Sequence, residues 1–233
     1  MGYGEEYVSQ EDLTAFLQRL RPDAKNYTVQ IQSINDGTND PSNPGYESML
    51  DVESVAGLAY PIPITFYSYG HADLAEGGAG SLGTTTFVAS GDFGVSENGD
   101  ESCPPFRTDF ISGCPYVVSV GATANTHPEI APSAFFSSGG FSILRPAPLY
   151  QKLAVAGYLL QIGDKDRAYY DPSGRAFPDL SAQGNNSVIV VNGQFTTISG
   201  TSASCPEVAA IFGNLNSARK RAGKGPIGWA NPT

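Results

Sequence analysis

Six residues of this 233-residue chain have types and spacing that could do chemistry: one serine, three carboxylates and the only two histidines. Ser202 stands in "TTISGTSASCPEVAA", between Gly200, Thr201, Ala203 and Ser204. Small neighbours let a substrate backbone approach the hydroxyl, and the helix after it would aim its free N–H groups at the same point. Pro206 reads as a first-turn residue, which needs no intrahelical donor. A serine-rich helix cap would look the same over Gly-Thr-Ser alone. The usual base for a serine is imidazole, yet His71 sits in "YGHADLA" and His127 in "ANTHPEIAP". Neither context is a base-supplying helix, so an ordinary Ser-His-Asp arrangement, active at neutral pH with His71 beside Ser202, is not what these residues favour.

Carboxylates are the remaining proton acceptors. In "GYESMLDVES" Glu47 and Asp51 are spaced i, i+4 and share one face of a predicted helix. Two close carboxyls resist double ionisation, so the pair can share one proton and supply a general base in acid, where imidazole would be protonated. An exposed acidic helix face has the same spacing. Asp92, in "VASGDFGV", comes after an apolar strand and falls at its carboxyl end. Aspartate there is commonly a turn former, but as a neutral acid it could donate a hydrogen bond to an oxyanion.

These residues must be held by elements that the sequence outlines. "SQEDLTAFLQRLRPD" predicts a helix capped by Ser9, with Asp12 completing a capping box and Leu13, Phe16, Leu17 and Leu20 on one face. "YESMLDVESVAGLAY" predicts a second, stopped by Pro61 and Pro63, and "PEVAAIFGNLNSARKRAGKG" a last one with a basic end that suits its dipole. "YTVQIQSI", "PITFYS", "TTTFVAS" and "YVVSVGAT" read as strands. Strands alternating with helices imply a parallel α/β sheet, whose active sites gather at the carboxyl ends of its strands. Asn192-Gly193 inside "SVIVVNGQFTTISG" departs from that pattern and marks a hairpin. The glycine-rich "YGHADLAEGGAGSLG" is barely long enough for a parallel crossover and reads poorly as a helix.

Thirteen basic against 23 acidic residues give a formal charge of −10, which argues against nucleic acid as a partner. The length fits one domain, 1–233. No apolar run is long enough to span a bilayer, and "MGYGEEYVSQEDL" has neither the basic start nor the apolar core of a signal peptide. Cys103 and Cys114 could close a loop, while Cys205 stands alone beside the serine cluster. Asn26-Tyr27-Thr28 and Asn185-Asn186-Ser187 are glycosylation sequons, meaningful only in a secreted chain.

"SGTSASCPEVA", with its Gly-Thr-Ser, Pro206 and small residues at 209 and 210, is similar to the nucleophile motif of subtilisin-like peptidases. Taken with "YESMLDVES", "VASGDFGV", "CPYVVSVGAT", "FFSSGGFS" and "DPSGRAFPDLSAQG", in that family's order, the chain resembles the sedolisins, or serine-carboxyl peptidases. It is nearest their fungal secreted, tripeptidyl-peptidase-like branch. That resemblance implies Ser202 as nucleophile, Glu47 as general base, Asp51 as the carboxylate orienting Glu47, and Asp92 as the oxyanion-hole acid. It further implies a secreted enzyme acting on peptide or protein substrates in acid, as an endopeptidase or a tripeptidyl-peptidase. The implied fold is α/β and subtilisin-like, a parallel sheet flanked by helices. Against that pattern the chain is expected to lack the first strand, one internal βα unit between "ITFYSYG" and "VASGD", and the C-terminal calcium-binding segment. No cofactor is therefore assigned, and no metal ligand. The alternative is an inactive fragment, or a non-catalytic remnant that only binds peptides.

Overall fold

The computed structural model describes residues 2–3, 6–70, 84–96, 105–106 and 111–230. In chain order the first elements are β1 (Gly2–Tyr3), α1 (Gln10–Leu20), β2 (Gln30–Ile34), α2 (Tyr46–Ala59) and β3 (Thr65–Tyr69). Then come β4 (Phe87–Ala89), β5 (Val118–Thr123), β6 (Gly140–Pro146), α3 (Lys152–Ile162), β7 (Gly174–Phe177) and β8 (Leu180–Gln183). The hairpin β9 (Ser187–Val191) and β10 (Gln194–Ile198) leads into α4 (Thr201–Arg221). They gather in two compact units, one of Met1–Ala75 with Asn186–Pro226, the other of Glu76–Asn185 with Ile227–Thr233.

In the first unit β3 is the centre of a parallel sheet ordered β1-β3-β2. The edge strand β1 is two residues long, Gly2 and Tyr3 paired with Ser68 and Tyr69. Helix α1 forms as its caps and periodicity predict: Ser9 is extended and its Oγ accepts the Asp12 N–H at 3.2 Å. Leu13, Phe16 and Leu17 are buried, whereas Leu20 is 48% exposed and lies off the core face. The capping box is only half made. Instead of turning back to the Ser9 N–H, which donates to Met49 Sδ, the Asp12 carboxylate accepts Asn192 N at 2.9 Å and Gly193 N at 2.7 Å. It caps the β9–β10 turn: Asp12 is itself buried, and its two oxygens take up the N–H groups of a turn whose residues Asn192 and Gly193 are exposed.

That turn is the two-residue hairpin that Asn-Gly predicts, with φ of 52° and 72° at Asn192 and Gly193. Its strand β9 buries Ile189, Val190 and Val191 against α1 and α2. Helix α2 is covered on a wide arc, by α1, β9 and α4.

The second unit holds a parallel sheet ordered β4-β5-β8 and an antiparallel pair β6–β7. Its polar centre is the ion pair of Arg175 and Asp179, whose side chains are 0% and 2% exposed. Arg175 also donates to the carbonyls of Cys114 and Val117, and Asp179 accepts Ser119 N and Gln151 Nε2, both at 2.8 Å. The interdigitated donors tie β5, β7 and the segment before α3 together.

Candidate active site

The carboxylates expected to act as base sit on α2 and the expected nucleophile on α4, two helices that pack closely within the first unit. Close packing is possible because the first turns of α4 present small residues: Ala203 and Ser204 are fully buried and Thr201 nearly so. The helix begins at Thr201, five residues earlier than the sequence suggests, so Ser202 lies inside its first turn. Pro206 is correspondingly an interior residue rather than a first-turn one. The carbonyl it cannot serve by an i to i−4 bond is that of Ser202, so the helix ladder is broken at the expected nucleophile.

Glu47 and Asp51 are both half-buried and do not form an exposed acidic face. Their joint position is reported by Cys205, one turn beyond Ser202 and on the same side of α4. Burial above all, with the charges of Asp51 and then Glu47 adding to it, pushes the Cys205 thiol up to about 12. Both carboxyls therefore face the first turns of α4. Burial also raises Asp51 above the ordinary carboxylate range, with a smaller contribution from the like charge of Glu6.

Glu6 is a participant that no local sequence signal announces. Its Oε2 accepts the Ser48 N–H and the Ser48 hydroxyl, each at 3.0 Å, and so caps an α2 terminus for which Gly45 offers no side chain. A Cβ at Gly45 would stand 1.8 Å from that same oxygen, so glycine is required for the approach. The cap is supplied from about forty residues upstream, beyond the reach of any capping motif.

Asp92 belongs to the second unit. It comes after β4, the buried Ser90 and a glycine, Gly91, at φ 102°, and it is half-buried. Its backbone is fixed: Gly91 O accepts Ser138 N at 2.8 Å, Asp92 O accepts Phe136 N at 3.3 Å, and Phe93 N donates to Ser138 Oγ at 3.0 Å. The "FFSSGGFS" segment thus clamps the loop that carries Asp92. His127 is exposed on the loop after β5, while His71 and Cys103 lie outside the described residues, the latter together with any bridge to Cys114. Among the described residues no three His, Cys, Asp or Glu side chains converge as metal ligands.

Residues 12–230 match the Subtilase family, peptidase S8. The chain belongs to that family, and within it is of the sedolisin type. It is similar to the probable tripeptidyl-peptidase SED2 of Trichophyton verrucosum, at 32% identity over 99% of this chain and 49% of that protein. It is also similar to the probable tripeptidyl-peptidase SED3 of the same organism, at 46% identity over 66% of this chain and 26% of that protein. The chain spans about half the length of the curated relatives it matches. The first alignment runs over 295 positions, more than the 233 residues of this chain, so the relative holds segments with no counterpart here. That agrees with the expected internal shortening. Among solved structures, Pseudomonas sedolisin, a serine-carboxyl proteinase, superposes with a TM-score of 0.67 at 20% identity, covering 96% of this chain and 75% of that one. The likeness confirms the subtilisin-like α/β fold.

Proposed function

We propose that the chain is the catalytic part of an acid-acting serine-carboxyl peptidase that cleaves peptide bonds in peptide or protein substrates outside the cell. The observation that carries this reading is the placement of Glu47 and Asp51 against the first turns of α4, one turn from Ser202, with Asp51 biased by burial toward holding a proton. In the proposed cycle the pair shares one proton, held by Asp51, which donates a hydrogen bond to the Glu47 carboxylate. Glu47 takes the proton from Ser202 Oγ as the oxygen attacks the peptide carbonyl. The part of oxyanion donor falls to the carboxyl of Asp92 by the family resemblance. Collapse of the tetrahedral adduct breaks the C–N bond, and the proton on Glu47 passes to the departing amine. Water, deprotonated by Glu47, then releases the acid and restores Ser202.

Tripeptide release and internal cleavage are both open to this chemistry, and the relatives' names favour the former. No helix among the described residues is long and apolar enough to cross a membrane. The test is hydrolysis of a tripeptidyl amide and of an unstructured protein at about pH 4, within the carboxylate range. Ser202→Ala and Glu47→Gln should each lose activity by about a thousandfold or more. Wild-type turnover no greater than either variant's removes the enzymatic reading; peptide binding that survives Ser202→Ala would establish the peptide-binding remnant instead.

A further inference from the structure

Glu53 lies on α2 two residues beyond Asp51, about 200° around the helix, and the proposed reaction makes no use of it. Its side chain is fully buried. Oε2 accepts the Val190 N–H of β9 at 2.8 Å, and Oε1 has no hydrogen-bond partner. Among the described residues the neighbouring elements bring no compensating cation to it; Arg21, just after α1, donates to the Gly57 carbonyl and lies over the Tyr60 ring. From α1 the charged groups are Glu11, Asp12 and Arg19; Asp12 is buried and adds a like charge, while Arg19 lies over the Phe195 ring. β9 carries no titratable side chain. From α4 come Cys205 and Glu207 near the start, and Arg219, Lys220 and Arg221 only in the last turn. On α2 itself the acids are Glu47 and Asp51.

A carboxylate with one N–H donor, one bare oxygen and an acidic neighbour is a poor anion in this setting, whereas a carboxylic acid loses little by it. We propose that Glu53 is a positioning residue that works as a neutral acid, tying the helix that carries Glu47 and Asp51 to β9 while protonated and loosening that helix when ionised. This rests on the proposed roles of Glu47 and Asp51, although the tie itself does not. Asp12, the neighbouring acid, differs in accepting two N–H donors from the β9–β10 turn.

The direction of the pH effect is set by burial, which raises Glu53 from its ordinary 4.5 to about 9, the Asp12 charge adding to it. A carboxyl raised on folding supports the fold fully below its unfolded value. That support is lost as pH rises, up to tenfold in the folding equilibrium per pH unit between about 4.5 and about 9. The experiment is urea unfolding of the full chain and of Glu53→Gln, which copies the neutral acid, at pH 5 and pH 8. The expected result is equal stability at pH 5 and a variant more stable than wild type by at least tenfold at pH 8. The same fall with pH in both proteins, or a variant that fails to fold at pH 5, overturns the proposal. In peptidase assays Glu53→Gln should keep wild-type kcat in acid and extend the alkaline limb of the profile. If wild type hydrolyses nothing, the proposed function falls while the unfolding comparison still decides the role of Glu53.

Discussion

Each compact unit buries a carboxyl side chain almost completely, Glu53 in the first and Asp179 in the second, and the two are provided for in opposite ways. Asp179 meets a buried guanidinium, a backbone N–H and an amide, which together satisfy an anion. Glu53 meets one N–H and a neighbouring acid. Burial alone does not decide whether a carboxyl carries charge; the donors that come with it do. The unit that holds the proposed nucleophile and base is the one built around a proton, and the other is built around an ion pair.

Removing the cation should erase the difference. Arg175→Met leaves Asp179 buried with no guanidinium and should cost about 3–5 kcal/mol at neutral pH. Part of that should return in the double variant with Asp179→Asn, and urea unfolding of the single and double variants reads both effects. A smaller loss, about 2 kcal/mol, is expected for Asp12→Ala, which strips the acceptor from Asn192 and Gly193 N–H. Hydrogen exchange should quicken first at those two amides. The same substitution removes the like charge beside Glu53 and should flatten part of the pH dependence of the first unit. Least of all, Gly193→Ala should cost about 1 kcal/mol by thermal unfolding. The new Cβ would meet nothing within 4 Å, so the positive φ is the whole of that penalty.

The sequence was most legible where the determinants are local. Ser9 before an apolar periodicity, Asn192-Gly193 between alternating runs, and Glu47 with Asp51 at helical spacing each produce the structure they predict. The two-residue strand at Gly2–Tyr3 is too short to leave a pattern. Helix α3 leaves none either, because its apolar residues run around its whole circumference. The least legible features are contacts made across the chain. Asp12 caps a turn 180 residues away, Glu53 reaches a strand 137 residues away, and Glu6 caps a helix from outside it. In sequence Asp12 reads as half of a local capping box, and Glu6 and Glu53 as further acids on a solvated loop and helix. Only the converging backbone gives it a partner, and a start for α4 earlier than Pro206 likewise depends on α2 packing against Ala203 and Ser204.

Cys205 adds a consequence in the currency of oxidation. Its sulfur lies beside the acid pair and one turn from Ser202, and thiol reactivity belongs to the thiolate. With its proton held up to about 12, the residue stays a thiol at any pH at which the fold is useful. As a thiol it is a weak nucleophile and a slow entrant to the path through sulfenic acid. The charges of Asp51 and Glu47 thus join burial in quieting the sulfur next to the proposed nucleophile.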